Sequence, residues 1–467
     1  MALEEILAHK RREVDERKAR TPLEALLARA APSDRSLEAV LRRRRTGFIC
    51  ECKKASPSRG LIRPDFDLEA IARAYAPFAD AVSVLTDEQY FQGHPGFIQR
   101  VRRIVPGPVL WKDFVLEPWQ VAEARTHGAD AVLLMLSVLD DEGWRACKAM
   151  ADRLEVDTLT EVHSPEEARR AAALGAPVVG VNNRDLRTLR IDLDTTARLL
   201  PLIPEDRVVV CESGIESHAD VQCYRDRVDA FLVGTSLMRE PSVERAIRRL
   251  VFGPVKVCGL TRHQGAERVW SAGATMGGLI FAPESPRAVS LAQAPKIQAG
   301  APRLRWVGVF VNHDPAAIGR AAAQLRLHAV QLHGEESAAD IAAVRAAVPE
   351  STEVWKAVRV RDHIPEPDAF GADRLVLDTW REGVRGGTGE TFDWGLLDSV
   401  PDRSRLILSG GLRPDNAEAA DALGCHALDV NSGVESHPGL KSPDLLGDFF
   451  TRLRGPGRAA VPPENAT

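Results

Sequence analysis

The chain lacks any apolar run close to the roughly 18 residues that a membrane-spanning helix needs. Its N-terminus, MALEEILAHKRREVDERK, is a charged amphipathic segment without the apolar centre of a signal peptide. Neither charge sign dominates, since 61 Lys and Arg residues stand against 66 Asp and Glu residues. A formal net charge of -5 gives no electrostatic footprint for nucleic acid or an anionic membrane. We therefore expect a cytoplasmic protein with neither nucleic acid nor membrane as a partner.

Cysteine pairs with the spacing of a metal site or a disulfide framework are also missing. The seven cysteines are scattered, and Cys50 and Cys52 are too close together for a CxxC site. We interpret the cysteines as reduced thiols, one of which could be reactive. Histidines and carboxylates do not cluster with ligand spacing either, so no metal is expected.

What the sequence does contain is a repeated alternation of Val/Ile/Leu-rich runs with Ala/Arg/Glu-rich helical stretches. This pattern indicates βαβ units around a parallel sheet. The 467 residues suffice for two (β/α)₈ TIM barrels, which have about 250 residues each. No GxGxxG motif follows the first strand of either half, which disfavours a doubly wound sheet. The predicted strands are Phe48–Lys53, Ala81–Leu85, Val109–Asp113, Ala131–Leu136, Asp157–Val162, Val178–Asn182, Arg207–Glu212 and Ala230–Gly234, then Val255–Cys258, Met276–Phe281, Trp306–Val311, Ala329–His333, Glu353–Val358, Arg374–Thr379, Arg405–Ser409 and Ala427–Asn431.

The joint between the halves is predicted near Leu250–Pro254, where a helix ends and a strand begins almost at once. We predict an α/β fold with a first barrel at residues 1–252 and a second at 253–454. Residues 1–47 are helical in pattern and should form extra helices that cover part of the first barrel. The tail at 455–467, GPGRAAVPPENAT, is predicted to be disordered.

Several predicted strands of the first half begin apolar and end charged. Alternate residues of a barrel strand point inward, and active sites lie at the C-terminal strand ends, here called the mouth. Glu51 and Lys53 share a face with Ile49. The same inner face carries Lys112, Glu161, Asn182 and Glu212 on four further strands. Any one of them could be a solvated strand-end residue, but five converging strands favour an acid–base site with mutually shifted pKa values.

Small-residue turns follow the last two strands of this half. Ser213-Gly214 comes after the seventh strand and Gly234-Thr235 after the eighth. Barrels often bind phosphate at these two loops. Glycine at such turns is also common for steric reasons alone, so the position in the strand order is what favours phosphate.

The second half places Cys258 at the end of its first strand and Asp378 at the same level on its sixth. Each has an ordinary alternative, an inert buried thiol and a loop cap. At one mouth they would form a base and an acid for moving protons on a sugar. The planar fork of Arg287 suits a carboxylate, although a solvated loop arginine is the alternative. Three turns offer a phosphate cradle through Gly387, Gly389, Gly410, Gly411, Ser432 and Gly433.

The motifs of the first half resemble those of indole-3-glycerol-phosphate synthases. They are ECKKASPS from Glu51, KDF from Lys112, TEV from Thr160, NNRDL from Asn182 and ESGI from Glu212. The resemblance implies ring closure of 1-(2-carboxyphenylamino)-1-deoxyribulose 5-phosphate with loss of CO₂ and water. It implies Lys112 as the first acid, Lys53 at the anthranilate carboxylate or as a second acid, and Glu161 as the acid or base of dehydration.

The same resemblance implies supporting roles around these groups. Glu51 would keep a lysine charged and oriented. Substrate oxygens and phosphate would be held by Asn182, Arg184, Glu212, Ser56, Ser213, Gly214, Gly234 and Thr235. How the acid duty divides between Lys53 and Lys112 stays open.

The strings KVCGLT, FAPESPR, VQLHGEE, VLDT, GGTGETFDW, LSGGL and DVNSGVE in the second half resemble phosphoribosylanthranilate isomerase. The resemblance implies an Amadori rearrangement with Cys258 as general base, Asp378 as general acid and Arg287 on the anthranilate moiety. His333 would lie in the mouth. Both reactions are acid–base chemistry, so no organic cofactor is expected, and the substrates would be phosphosugar–anthranilate compounds.

Two other functions are alternatives to this bifunctional one in tryptophan biosynthesis. A pair of histidine-pathway-type phosphosugar isomerases would require paired aspartates, whereas the first strands end in Glu51, Lys53 and Cys258. A non-catalytic phosphosugar-binding scaffold would have lost the reactive residues of both mouths, and they are present. Because both barrels belong to one chain, the fusion replaces some need for a partner subunit, and we expect a monomer.

Overall fold

The computed structural model describes residues 3–43, 45–185, 188–379 and 391–458. Two closed barrels of eight parallel strands each occur there, which confirms the predicted fold class. The strands of the first barrel are β1 (Gly47–Cys52), β2 (Ala81–Leu85), β3 (Val109–Lys112), β4 (Ala131–Met135), β5 (Asp157–Val162), β6 (Val178–Asn182), β7 (Val208–Glu212) and β8 (Ala230–Val233). Those of the second are β9 (Val255–Val257), β10 (Met276–Ile280), β11 (Arg305–Phe310), β12 (Ala329–Leu332), β13 (Glu353–Val360), β14 (Arg374–Thr379), β15 (Leu406–Leu408) and β16 (Ala427–Val430). Pairing of β1 with β8 and of β9 with β16 closes each ring.

Helices alternate with the strands along most of the chain, as the sequence pattern predicts. The helices around the first barrel are α1 (Leu3–Arg20), α2 (Leu23–Leu27), α3 (Leu37–Leu41), α4 (Leu68–Tyr75), α5 (Glu88–Phe91), α6 (Phe97–Arg102), α7 (Pro118–Thr126), α8 (Asp141–Arg153), α9 (Pro165–Ala173), α10 (Asp194–Leu199), α11 (His218–Tyr224), α12 (Thr235–Arg239) and α13 (Val243–Phe252). Those that follow are α14 (His263–Ala272), α15 (Ala294–Gln298), α16 (Pro315–Leu325), α17 (Ala338–Ala347), α18 (Ala417–Ala422) and α19 (Pro443–Arg454). None of these described helices is both long and apolar enough to cross a membrane.

Each barrel interior is filled by every second residue of its strands. In the first barrel Ile49, Leu110, Leu159 and Val210 lie in one buried apolar cluster. They are the residues two positions before Glu51, Lys112, Glu161 and Glu212, so the inner face of these strands is the one predicted from sequence. The second interior contains a similar cluster that includes Trp355 and Val376.

The predicted helical extension is present as α1, α2 and α3. Ile6 of α1 and Leu37 and Leu41 of α3 belong to the apolar cluster of the first barrel. Ser36 caps α3 by accepting the backbone N–H of Ala39, which satisfies one donor of the first turn. The extension is therefore packed into the first core through its apolar side chains.

The chain forms two compact units, Met1–Leu250 with Pro456–Thr467 and Val251–Gly455. Phe252, which the sequence prediction assigned to the first domain, packs edge-on against Phe450 with ring centroids 5.2 Å apart. Within the first unit, Arg458 donates hydrogen bonds to the backbone oxygens of Glu205 and Arg207. Residues 459–467 of the predicted disordered tail lie outside the described residues.

Candidate active sites

The first mouth is organised around Glu51, whose carboxylate is buried at the end of β1. Its Oε1 lies 2.6 Å from Lys53 Nζ, and Ser83 donates to its Oε2 at 3.3 Å. A Cβ on Gly234 would come within 2.6 Å of Glu51 Oε1, so only glycine leaves room for this carboxylate. Burial by itself would raise the pKa of Glu51, but the ammonium groups of Lys53 and Lys112 outweigh it and lower that pKa.

Lys112 lies between carboxyl groups from two other strands. Its Nζ is 3.6 Å from Glu161 Oε2 and 3.9 Å from Glu212 Oε2. Burial disfavours the charged ammonium, yet the attraction of Glu161, Glu212 and Glu51 raises the pKa of Lys112 above its ordinary value. The structure thus brings Lys112 together with all three predicted glutamates of this mouth.

Glu161 and Glu212 are neighbouring buried carboxyl groups with opposite protonation tendencies. Burial and the charge of Glu161 raise the pKa of Glu212 well above its ordinary value. Burial also acts on Glu161, but Lys112 and His163 outweigh it and lower the pKa of Glu161. Gly180 accommodates the pair, since a Cβ there would lie only 2.0 Å from Glu212 Oε1. At neutral pH the pair therefore offers one proton donor and one proton acceptor.

His163 belongs to this cluster, although the sequence analysis did not select it. Its Nε2 lies 3.3 Å from Glu161 Oε1 and its Nδ1 3.4 Å from Glu167 Oε2. Although burial disfavours the imidazolium, the two carboxylates raise the pKa of His163 to about 10. Its spacing could have predicted this position, because residue 163 lies two positions after Glu161 and therefore on the same inner face.

Lys10 of α1 is a second residue that the sequence analysis missed. Its fully buried ammonium lies 2.8 Å from Asp87 Oδ2, 2.9 Å from Asp113 Oδ1 and 2.8 Å from Glu13 Oε2. Asp113 directly follows Lys112, so this ion cluster ties α1 to the end of the strand that carries Lys112. No local pattern predicts it, because α1 is rich in charges along its whole length.

Two adjoining pockets open at this mouth. One of about 960 Å³ has polar groups such as Lys53 and Lys112 facing the apolar side chains of Leu3, Ile6 and Phe114. The other, of about 550 Å³, is lined by polar and small residues that include Arg59, Arg184, Ser213, Gly214, Gly234 and Thr235. Backbone φ angles of 63° at Ser213 and 88° at Gly214 form the tight turn after β7 that was predicted for phosphate.

The remaining predicted residues of this half lie at the same mouth. Ser56 and Asn182 are buried and line the larger pocket. Asn182 Oδ1 accepts the backbone N–H of Arg184 at 3.0 Å, which fixes the start of the loop after β6. Leu186 of the NNRDL motif lies outside the described residues.

The second mouth holds Cys258 directly after β9. The residue is buried, and its backbone N–H donates to Val430 O at 2.9 Å. Burial raises the pKa of the Cys258 thiol, while the ammonium of Lys256 opposes this. Lys256, two residues earlier on the same face, is fully buried and was not selected from the sequence.

Asp378 lies at the end of β14 with both carboxylate oxygens engaged. Its Oδ1 accepts the backbone N–H of Thr379 at 2.9 Å, and its Oδ2 is 3.3 Å from His333 Nε2. Gly410 approaches it closely, since a Cβ there would lie 3.0 Å from Asp378 Oδ1. The mouth therefore contains Cys258, His333 and Asp378, as predicted.

Arg287 is held by a carboxylate of the chain itself. Its Nε lies 3.0 Å from Glu435 Oε2 and its Nη2 2.7 Å from the same oxygen. Lys441 Nζ is 2.8 Å from Glu435 Oε1 and 2.9 Å from Asn431 Oδ1. The guanidinium of Arg287, which was predicted to bind a substrate carboxylate, therefore binds Glu435 in this structure. Lys441 binds the same carboxylate.

Two of the three predicted phosphate loops are described at this mouth. Gly410 and Gly411 have φ angles of 80° and 68°, and a Cβ on Gly433 would lie 1.9 Å from Leu412 O. The loops after β15 and β16 are therefore in direct contact around Ser432 and Gly433. Gly387 and Gly389 of the third loop lie outside the described residues.

Comparisons with known proteins match each barrel to one enzyme family. Residues 3–250 match the family model for indole-3-glycerol phosphate synthase, and residues 255–452 match that for N-(5'-phosphoribosyl)anthranilate (PRA) isomerase. The tryptophan biosynthesis protein TrpCF of Salmonella typhi is 47% identical, covering 97% of this chain and 99% of that protein. TrpCF of Vibrio cholerae is 47% identical over 94% of this chain and 93% of that protein. The described side chains of each mouth lie within the range that its family model matches.

Proposed function

Because this chain belongs to the family of TrpCF tryptophan biosynthesis proteins, with a synthase domain followed by an isomerase domain, we propose how its residues divide the two reactions. The chain is an enzyme with lyase and isomerase activities. The C-terminal barrel isomerises N-(5-phosphoribosyl)anthranilate to 1-(2-carboxyphenylamino)-1-deoxyribulose 5-phosphate. The N-terminal barrel converts this product to indole-3-glycerol phosphate.

In ring closure, the aromatic carbon that bears the carboxylate attacks the ribulose carbonyl carbon, and Lys112 protonates the carbonyl oxygen. Three carboxyl groups raise the pKa of Lys112, so the ammonium is fully formed at neutral pH. Its position between Glu161 and Glu212 also lets it recover a proton from a neighbouring carboxyl group within the mouth. The bond between this ring carbon and its carboxylate then breaks, and the electron pair that CO₂ leaves behind restores the aromatic benzene ring.

Dehydration requires a proton for the departing hydroxyl and a base for the proton that restores aromaticity. The Glu161–Glu212 pair supports this step, because one carboxyl group is held ionised and the other protonated. We assign the ionised Glu161 as the base and the protonated Glu212 as a proton reserve. Lys53, whose Nζ lies 2.6 Å from Glu51 Oε1, binds the substrate carboxylate or acts as a second acid.

Substrate oxygens and the phosphate would occupy the smaller pocket of this mouth. Arg184 and Arg59 supply positive charge there, and the turn at Ser213-Gly214 presents backbone N–H groups. Ser56, Asn182, Gly234 and Thr235 complete the lining. Arg59 is an addition to the residues predicted from sequence.

In the isomerisation, Asp378 protonates the ribose ring oxygen and Cys258 removes the C2′ proton of the resulting imine. Burial raises the pKa of the Cys258 thiol, and the ammonium groups of Lys256 and Lys441 reduce this rise, which favours the thiolate that this base requires. The anthranilate carboxylate would approach Arg287, where Glu435 already marks a site that accepts a carboxylate. The loops at Gly410-Gly411 and Ser432-Gly433 would bind the phosphate, with Gly387 and Gly389 as expected further contributors.

The observation that carries this assignment is the presence of one complete acid–base set in each barrel. Cys258→Ala should therefore abolish isomerisation and leave ring closure intact, whereas Lys112→Ala should do the reverse. Each loss should be about 100-fold or more in kcat, the range of a positioned proton-transfer group. On the purified full chain, ring closure is measured by indoleglycerol phosphate fluorescence from 1-(2-carboxyphenylamino)-1-deoxyribulose 5-phosphate, and isomerisation is measured separately by the disappearance of N-(5-phosphoribosyl)anthranilate. A folded single variant that loses both activities would refute the two-site assignment.

We also propose that the protein is a monomer in solution. Among the described residues only Leu61, Ile191 and Leu291 are large apolar side chains with more than about a third of their surface exposed, and they lie far apart in sequence. Static light scattering during gel filtration should give a mass near 51.0 kDa. A mass of twice that value at micromolar protein concentration would reject the proposal.

A further inference from the structure

The interior of the second barrel contains a buried lysine directly behind the reacting thiol. Lys256 Nζ lies 2.7 Å from Asp429 Oδ2 and 2.8 Å from Gln331 Oε1, and its charge acts to lower the pKa of the Cys258 thiol. The side chains of Lys256 and Cys258 both pack against Gly278. Replacing a buried ion pair by apolar residues is often neutral for stability, so stability alone gives little reason for this lysine.

Hydrogen bonds continue from Gln331 to the proposed acid. Gln331 Nε2 lies 3.0 Å from His333 Nδ1, and His333 Nε2 lies 3.3 Å from Asp378 Oδ2. The side chains of Lys256, Gln331, His333 and Asp378 therefore form one connected chain. It runs from the lysine that packs beside Cys258, the proposed base, to the proposed acid.

The donors and acceptors of this chain can be assigned in one way. An ammonium group only donates, so Gln331 must accept with Oε1 and can offer only its NH₂ group to His333. His333 Nδ1 is consequently the acceptor. An uncharged imidazole that accepts at Nδ1 carries its hydrogen on Nε2, and this hydrogen points to Asp378 Oδ2.

We propose that Lys256 and Gln331 are positioning residues of the isomerase site, which fix His333 in the Nε2–H tautomer and thereby orient Asp378. This inference rests on the proposed roles of Cys258 and Asp378. Because the ammonium of Lys256 can only donate, Gln331 must accept from it and can only donate to the imidazole of His333. His333 then donates to one carboxyl oxygen while the Thr379 N–H holds the other, which sets the plane of Asp378.

The test uses Gln331→Glu in the full chain. A glutamate can accept from Lys256 and also from His333, so it should move the imidazole hydrogen to Nδ1 and leave Nε2 as an acceptor facing Asp378. Gln293→Glu is the matched control, because Gln293 is exposed and accepts hydrogen bonds from Ser290 that a glutamate can equally accept.

Nitrogen-15 NMR of the histidine rings reads the tautomer directly, with the His333→Asn spectrum identifying the His333 signals. In the unsubstituted protein at pH 8, Nε2 of His333 should carry the hydrogen and Nδ1 should not. Gln331→Glu should invert this pattern and lower the isomerase kcat about 100-fold with little change in KM. Gln293→Glu should change neither, and ring closure by the first barrel should persist in both variants as the measure of intact protein.

A hydrogen on Nδ1, or on both ring nitrogens, of His333 in the unsubstituted protein would overturn the inference even if Gln331→Glu does not fold. An unchanged isomerase kcat in folded Gln331→Glu would overturn it as well. The NMR result does not depend on turnover, so it separates this inference from the proposed function. If the unsubstituted protein failed to isomerise phosphoribosylanthranilate, the function would fail while the tautomer could still be read.

Discussion

Buried carboxyl groups in the first barrel differ in protonation because their neighbours differ. Glu161 faces two cations, whereas Glu123 of α7 is 7% exposed and has the guanidinium of Arg17 at 3.4 Å. Burial dominates at Glu123 and raises its pKa to about 7 from the ordinary 4.5. Folding therefore binds a proton at Glu123 over this pH range, and stability falls as the pH rises from 4.5 to 7.

Glu123→Gln should relieve this penalty, because glutamine resembles the protonated side chain. Above pH 7 the variant should exceed the unsubstituted protein in free energy of unfolding by up to about 3 kcal/mol, and near pH 4.5 the two should be equal. Urea unfolding of the first unit at both pH values measures the difference. Glu142→Gln, at an exposed position of α8, should be neutral at both. A variant that is less stable at pH 8 would contradict the expectation.

The contribution of His163 to stability should also fall as the pH rises, but over a higher pH range. Its pKa is raised to about 10 from the ordinary 6.5, so the imidazolium contributes stability that is complete below about pH 6.5 and is lost as the pH rises through 10. The advantage of the unsubstituted protein over His163→Gln should therefore shrink between pH 6.5 and 10. Chemical unfolding at three pH values in this interval tests it, and a constant difference would show that the two ion pairs do not stabilise the fold.

At the scale of elements, the connection of α1 to the first mouth depends on one ammonium. Lys10→Met would leave Asp87 and Asp113 buried without it, which typically costs about 3–5 kcal/mol. Ring closure should fall sharply because Leu3 and Ile6 of α1 line the pocket, while isomerisation should be unaffected. Limited proteolysis within residues 3–20 should become faster.

Lys18→Met is the matched control on the same helix. Lys18 pairs with Glu117 near the surface, where an ion pair contributes about 1 kcal/mol or less. Its ring-closure activity should stay close to that of the unsubstituted protein. Equal losses in the two variants would mean that α1 does not depend on the buried cluster.

The barrel strands could be predicted from sequence because their signal is local. Apolar runs, alternation and strand count identified both barrels, and several predicted strands extended one residue too far, at Lys53, Asp113, Cys258, His333 and Asn431. Side chains at these positions continue the alternation, although the ladder has already ended. Lys53, Cys258 and His333 therefore lie just beyond the sheet, whereas Lys112, Glu161 and Asp378 belong to the last residues of their strands.

Long-range partners could not be predicted in the same way. Lys10 pairs with Asp87 and Asp113, and Lys256 pairs with Asp429, at separations of 77 to 173 positions in the chain. A single sequence does not indicate which buried charges will form ion pairs. For Lys256, its place two residues before Cys258 on the same inner face was the only hint, and the apolar neighbours of the strand concealed it.

At the scale of the whole molecule, the border between the units can be tested by two fragments. Residues 251–455 should be more stable than residues 253–455, because the shorter fragment lacks Phe252 and leaves a gap beside Phe450. Loss of a buried phenylalanine typically costs about 3–5 kcal/mol. Thermal unfolding and isomerase activity of the two fragments measure this. Identical melting temperatures would place the border at residue 253 instead.

The ion cluster of Lys10 also has a consequence for the order of events during synthesis. Helix α1 is synthesised before β2 and β3, and the carboxylates of Asp87 and Asp113 do not exist until the chain has grown by about a hundred further residues at 5–20 residues per second. Burying the ammonium before then would leave it without its partners. Helix α1 must therefore remain undocked for several seconds, and it closes over the mouth only after β3 has been completed.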